Sequence, residues 1–462
     1  MLTYILPDSV YFYFVAAEQY TGPALSQENP HSPIHSLPPE LLQEIFAFSA
    51  SPFPDPAPLF AYARRNQRFN TTSLRISCVC SYWRSLSFVT SEMWSWMIVS
   101  SPDKRCLELV KYYLGRAGDV QGLNLFLKES DSPPVGRQWA PAILRLWIPE
   151  ARRWSSIHFD FHHTPPIPEM INLPPETLSG ITSVSLKSGM AWRRSIAEQF
   201  WDVLHTSPAL KAVDWNLTRV PSSAPFSQLS SIEGLNQTLS LTEFLSLLSS
   251  CTRLRSIIAT VVPVAEAEAL SKATTIVAPY LEVLLLPMTP MEIKSGILLD
   301  YVQAPSLREL EVYVSRSDSA VLRRFLSTSG CLLRKLKLKT KDSVHSEGNV
   351  LDYLLEAAPY LRSVEMCDLF HKQLSSLTMS AFSPQMVNGD ISILLPSVVS
   401  LRLLLIGSVP EGAIGDMLSS RAKYGAIPWC FEFYFTEDNY LQTRDYRVIL
   451  QLQKQGLYVK YG

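Results

Sequence analysis

The stretch APSLRELEVYV, residues 304–314, sets Leu307, Leu310 and Val312 in the spacing L-x-x-L-x-L. The last two leucine-type positions alternate with polar ones, which is the period of a strand that buries one face. The spacing recurs as Leu281, Leu284 and Leu286 in LEVLLLP, as Leu333, Leu336 and Leu338 in LRKLKLK, and as Leu361, Val364 and Met366 in LRSVEM. Its first leucine returns about every 26 to 28 residues, so one strand-and-helix unit is being repeated. Several strands follow a small residue and a proline, as in SPALKAV, APYLEVL and APYLRSV, where the proline stops the helix before it. The intervening helices are visible as IAEQFWDVLHTS, LTEFLSLLSS, AVLRRFLSTSG and NVLDYLLEAA.

More widely spaced copies follow the same pattern: Trp154, Ile157, Phe159; Ile181, Val184, Leu186; Leu210, Val213, Trp215; Leu254, Ile257, Ala259; and Leu401, Leu404, Ile406. One such unit cannot bury its own strand face and helix stripe, so neighbours must stack in a curved array with parallel strands. A doubly wound α/β domain is the competing architecture, and it does not require an anchor at a fixed step. Residues between the anchors then face the concave side: Asp214, Asn216, Glu311, Tyr313, Lys335, Lys337, Lys339 and Glu365. The three lysines have period two and present positive charge together, a pattern that an acidic or phosphorylated segment could use, although a charge run is more often a solvated face. WCFEFYF reads as a last strand and LQTRDYRVILQLQKQG as a helix that closes the array.

The N-terminal part reads differently. In SLPPELLQEIFAFSA, residues 36–50, prolines 38 and 39 suit a first helical turn and Ser36 is a candidate cap. Leu41, Leu42, Ile45, Phe46 and Phe48 form a broad apolar face. Four prolines between Pro52 and Pro58 forbid helix, and SLRISCVCSYWRSLSFV restores a stripe through Ile76, Val79, Cys80, Trp83 and Leu86. Thr90 or Ser91 is expected to cap a short third helix carrying Met93, Trp94 and Met97. A unit of this size has a small core, and apolar surface left exposed on it suggests a partner. Lys104 to Gly118 reads as a helix and GLNLFLKE as a strand.

The pair LPPELLQEIF and LRISCVCSYWRSL, closed by SEMW, resembles an F-box. The resemblance implies a three-helix module that docks on a Skp-type adaptor and, through it, on a cullin-RING ubiquitin ligase. It assigns adaptor contact, or its support, to Leu37, Pro38, Leu41, Leu42, Ile45, Val79, Trp83 and Leu86. The Pro-rich insertion over 51–72 is longer than the usual link between the first two helices. The remaining chain resembles the irregular leucine-rich repeats that follow the F-box in many fungal F-box proteins, without the asparagine position of regular copies. The expected class is therefore α/β: an extension over 1–33, a three-helix F-box over 34–97, and a leucine-rich-repeat-like solenoid over 98–462 with parallel strands on its concave side. Function follows as a substrate receptor whose repeats hold a target through residues such as Glu311, Tyr313, Lys335, Lys337 and Lys339. The alternative is a scaffold that binds a partner without directing ubiquitin transfer.

Composition narrows the classes. Hydrophobic residues make up 47% and charged residues 18%, which suits a globular chain. With 41 Lys and Arg against 42 Asp and Glu, bulk charge points to neither nucleic acid nor an anionic membrane. Seven scattered cysteines suit a reducing cytoplasm or nucleus rather than a disulfide scaffold. The apolar run Val10 to Ala17 has no basic residue before it and Asp8 beside it, so no signal or anchor is expected there. Cys78 and Cys80, one residue apart in a helical stripe, point to different sides and make a poor metal pair. His162 and His163 are read as a surface pair. Phosphate-loop, zincin and nucleophile-elbow motifs are absent, so neither catalysis nor a cofactor is expected.

Overall fold

The structure is a computed structural model, and it describes residues 33–51, 69–119, 122–129, 138–188, 192–215, 220–262, 275–287, 296–314, 319–340, 360–368, 382–387, 390–392, 395, 397–406, 410–425, 430–435 and 443–461. The candidate helix NVLDYLLEAA, the run Val10 to Ala17, Asn216 and most of the Pro-rich insertion lie outside them. The protein is α/β with parallel strands, and it divides into two compact units, Met1–Pro225 and Phe226–Gly462. The helices of 34–97 therefore share a unit with the first strands.

In the first unit, helix α1 spans Pro39–Ala50. Pro38, not Ser36, occupies its cap position, and no side-chain bond closes the cap. The single stripe expected through Trp83 is broken into α2 (Thr72–Ser77) and α3 (Ser81–Val89). Cys80 caps α3, its sulfur accepting from the Trp83 amide at 3.4 Å. Asn70 joins these pieces: its Nδ2 donates to the Ala50 carbonyl at the end of α1, and its Oδ1 accepts from the Thr72 amide at the start of α2. A 3-10 turn, Ser91–Trp94, follows without a side-chain cap, and the Thr90 hydroxyl donates instead to the Leu86 carbonyl. Met97 is not in that turn. It lies in strand β1 (Trp96–Ser100), so this strand straddles the expected boundary at residue 97.

Helix α4 (Lys104–Ala117) starts at Asp103, whose carboxylate accepts from the Cys106 amide, and ends at Gly118, where φ is 52°. Its Tyr113 completes the core of the small module. The ring packs edge-on against Trp94 and Phe69, each at 5.0 Å, and the hydroxyl donates to the Asn70 carbonyl. The module thus borrows from α4 the aromatic area, on the order of 200 Å² per ring, that its own length cannot supply.

Strands β1, β2 (Leu123–Lys128), β3 (Trp154–Phe161), β4 (Ser183–Ser188) and β5 (Ala212–Asp214) are parallel and follow one another in chain order. Met97, Leu125, Ile157, Val184 and Val213 share one register row, and all are buried. Helices α5 (Trp139–Trp147) and α6 (Arg194–His205) lie between strands. The turn after β3 is fixed by Glu129. Its Oε2 accepts from the amides of His162, His163 and Thr164 at 2.8, 2.7 and 3.0 Å, and its Oε1 accepts from the Thr164 hydroxyl. Burial pushes this carboxyl up, but the four bonds outweigh it and hold the group below the usual carboxylate range. The two histidines are half-buried and anchored through their backbone, and His162 faces Asp160 at 3.4 Å.

In the second unit the parallel strands of the main sheet are β6 (Ser231–Ser240), β7 (Ser256–Val262), β8 (Val283–Leu285), β9 (Glu309–Val314), β10 (Lys335–Thr340), β11 (Ser363–Asp368), β12 (Ser400–Ile406), β13 (Cys430–Phe435) and β14 (Tyr458–Tyr461), again neighbours in order along it. Neither unit reverses its strand order, the feature that makes a doubly wound sheet's binding crevice. One register row carries Ile257, Leu284, Leu310, Leu336, Val364, Leu401, Phe431 and Val459, and each is buried. Helix α7 (Leu241–Ser250) opens with a capping box between Ser240 and Glu243, and helices α8 (Ser319–Ser329), α9 (Ala413–Lys423) and α10 (Thr443–Lys454) follow. The anchors Leu281, Leu307, Leu333 and Leu361 are buried as expected. At β12 the phase differs: Val398, Leu401 and Leu403 point inward, while Leu404 is half-buried on the other face. The last helix does not close the array, because β14 follows it and pairs with β13.

Candidate functional site

Two surfaces carry the sequence-derived candidates, one in each unit. On α1 the broad apolar face resolves into two. Leu42, Phe46 and Ala50 are buried against α2 and α3, with Phe46 packed on the Trp83 ring at 4.8 Å. Leu41, Ile45 and Phe48 are 45%, 42% and 62% exposed, and their spacing of four and three residues puts them on one outward stripe. Pro38 at the head of the helix and Val79 before α3 are exposed as well, and Leu37 is half-buried. Of the eight residues assigned to the adaptor, Leu42 and Leu86 are buried and are therefore support, not contact. Trp83 is half-buried beneath Phe46, which makes it a brace for α1.

The charged strand face lies in the second unit. A single register row crosses six strands through Glu311, Lys337, Glu365, Arg402, Glu432 and Lys460. Charge alternates at every step. Lys337 and Lys339 both pair with Glu311, and Lys335 pairs with Glu309. Arg402 bridges two strands, with Nη1 donating to Glu365 at 2.9 Å and Nε and Nη2 donating to Glu432 at 3.0 and 2.9 Å. Both carboxylates raise the guanidinium's pKa further, with the Glu365 bond the larger cause. Lys460 ends the row beside Tyr434, 5.7 Å from the ring centroid.

This arrangement corrects the reading of the lysines as a free cationic triplet. Each has a carboxylate on the neighbouring strand, so the local positive charge is largely cancelled. Glu311 is itself buried, and burial raises its carboxyl while the Lys339 and Lys337 contacts more than offset this and hold it low. Tyr313 is buried too, which removes it from the accessible face. Asp214, in the first unit, is buried and accepts from the Ser185 hydroxyl at 2.8 Å. Opposite charges in register contribute about 0.2–1 kcal/mol each, so the row fixes strand neighbours more than it stores binding energy.

Sequence reasoning passed over a column at the strand starts. Arg255, Glu282, Arg308, Arg334, Arg362 and Val399 follow their anchors directly, and from Glu282 onward each amide donates to the carbonyl of the residue before it in the column. Its signal was present in the repeated L-R pair of LRSI, LREL, LRKL and LRSV.

Among the described residues, no helix is long and apolar enough to cross a membrane and no cluster of His, Cys, Asp and Glu is arranged to hold a metal ion. No protein-family model matches the chain, and no curated protein matches it.

Proposed function

We propose that the protein is a non-catalytic substrate receptor: the N-terminal helices dock a Skp-type adaptor of a cullin-RING ubiquitin ligase, and the strand face of the repeats holds a target protein. The observation that carries this reading is the stripe Leu41, Ile45 and Phe48, solvent-exposed on a helix whose opposite face is buried. Apolar residues at i, i+4 and i+7 are what a helix offers to a partner's groove. The F-box likeness of 34–97 names that partner as the adaptor. Such a receptor works by proximity, raising the local concentration of target lysines at a thioester that other subunits supply. The second reading, a scaffold that binds without directing ubiquitin transfer, draws on the neutralised lysines, which leave Lys335, Lys337 and Lys339 with little net charge for a target.

The test is co-purification of the full chain with a Skp-type adaptor, beside the variant Leu41→Asp with Ile45→Asp. Both positions are exposed, so the fold should survive and circular dichroism should be unchanged. Capture by the parent chain and loss in the variant supports docking through this stripe. Failure of the parent chain to capture the adaptor refutes the receptor reading. Where capture succeeds, a reconstituted ligase that transfers no ubiquitin to bound protein leaves the scaffold reading standing.

A further inference from the structure

We infer that the arginine column Arg308, Arg334 and Arg362 is the docking site for an extended acidic segment of a partner protein, an inference that names the target class of the receptor proposed above and rests on that reading. The three residues occupy successive strands at the same repeat position, joined by the bonds from the Arg334 amide to the Arg308 carbonyl and from the Arg362 amide to the Arg334 carbonyl, each 2.8 Å. All three side chains are exposed. Neighbouring strands lie about 5 Å apart, so the column sets like charges side by side. Like charges in register are destabilising.

Several cations of the same unit behave otherwise. Lys335, Lys337 and Lys339 on β10 and Arg402 on β12 all have carboxylate partners, as do Arg324 with Asp300 and Arg444 with Asp416. Within the column, Arg255 takes Glu282 at 3.4 Å. Glu309, the carboxylate adjacent to Arg308 in sequence, is occupied by Lys335. Among the described residues no carboxylate lies within ion-pair distance of Arg308, Arg334 or Arg362. On a chain whose net charge is −1 this is a local, unneutralised patch, not an expression of bulk charge.

Apolar side chains flank it. The residue before each anchor is Tyr280, Leu332 or Tyr360, which are 57%, 56% and 54% exposed, and Ser306 holds the same position in the fourth copy. Leu332 and Tyr360 stand two residues before Arg334 and Arg362, whereas Ser306 stands before Arg308 and Tyr280 before Glu282, so exposed apolar carbon accompanies two of the three arginines and continues one copy beyond Arg308. Carboxylates on alternate residues of an extended segment are about 7 Å apart, within reach of arginine side chains on adjacent strands, and guanidinium pairs carboxylate through two parallel bonds. An acidic segment with interspersed apolar residues matches both the arginines and this apolar carbon.

The probe is a fluorescein-labelled peptide of about a dozen residues alternating Glu with Leu and Ser, read by anisotropy on the full chain at low and physiological salt. The variant joins Arg308→Glu, Arg334→Glu and Arg362→Glu. A control with equal charge change joins Arg253→Glu, Arg324→Glu and Lys423→Glu, all exposed and outside the column. The expected result is peptide binding that weakens with salt, falls about tenfold or more in the column variant, and holds in the control. Equal loss in both variants, or none in either, overturns the inference. So does a single-stranded oligonucleotide of matched charge that binds the parent chain more tightly than the peptide. Adaptor capture by the column variant is measured alongside: capture intact with peptide binding lost supports both readings, whereas peptide binding without capture by any form sinks the receptor reading and leaves the acidic site standing.

Discussion

Replacing Glu129 by Gln tests whether a carboxylate, and not merely an acceptor of that shape, fixes the turn after β3. The side chain keeps its volume, and a Gln carbonyl can still accept from the amides of His162, His163 and Thr164. What is lost is charge. Bonds to an ionised acceptor contribute about 1.5–3 kcal/mol and neutral ones about 1, so three bonds lose on the order of 3 kcal/mol. Gln is also cheaper to bury, which returns part of this, and a net loss of about 2 kcal/mol is expected. Unfolding of a chain with two compact units need not be two-state, so amide hydrogen exchange of the segment over His162 to Thr164 is the better assay. It should quicken about thirtyfold at neutral pH. The carboxyl is held low in the folded protein, so its stabilisation is fully present above its unfolded pKa near 4.3 and disappears as pH falls through the folded value. Parent and variant should therefore converge once pH has fallen below the folded value. Equal exchange at neutral pH, or a gap of the same size at both pH values, would refute the argument.

The remaining expectations follow from single contacts. Leu42→Ala should cost about 2–5 kcal/mol, whereas Ile45→Asp on the outward stripe should stay within about 0.5, as thermal unfolding would reveal; a large cost at Ile45 would mean the stripe is covered. Arg402→Met strips two carboxylates of their bridge, and because that side chain is 41% exposed the loss should be only about 1 kcal/mol, shrinking with added salt. Arg334→Gln relieves like-charge repulsion from both sides and should leave melting unchanged or raise it slightly, the opposite of Arg402. His205 accepts from Trp215 Nε1 through Nε2 at 3.2 Å and faces Ser223 through Nδ1 at 3.0 Å, and burial depresses its pKa to about 4. Its contribution is whole above the unfolded value near 6.5 and is lost between there and about pH 4, so the melting temperature of His205→Phe should fall less than the parent's across that window.

The inward rows were legible because burial and period coincide. Leu281, Leu307, Leu333 and Leu361 recur at a nearly fixed step, and each strand they announce is present. Where two phases satisfy the same pattern, sequence alone fails. LRLLLI fits L-x-x-L-x-L from Leu401 as well as from Val398, and only the pairing of Val364 with Leu401 and Met366 with Leu403 decides for Val398. Met97 misled for a related reason: three residues after Trp94 suits a helical stripe and a strand anchor alike, and the chain turns extended at Trp96. Glu129 gave no local sign, since its partners lie at His162 to Thr164, and Asn70 shows locally only its bond to the Thr72 amide, not the one that ties it to Ala50.

The outward rows were illegible for a deeper reason. Period two places Lys335, Lys337 and Lys339 on one face correctly, yet the charge on that face depends on which strand lies beside it. Glu309 and Glu311 sit opposite those lysines because the register pairs Glu309 with Lys335 and Glu311 with Lys337, a relation between repeats that no single repeat contains. An inward slip would bury charge at several kcal/mol per group, so selection on stability fixes the leucine rows and, with them, the register. The outward positions are then free to differ from copy to copy at less than about 1 kcal/mol each. In this protein they differ in kind: one row neutralises itself across six strands, while the arginines beside it repel one another and have no carboxylate within ion-pair distance among the described residues. Recognition by charge is therefore to be sought at Arg308, Arg334 and Arg362, where a ligand relieves repulsion, and not at the lysines, where it would first have to displace a carboxylate already in place.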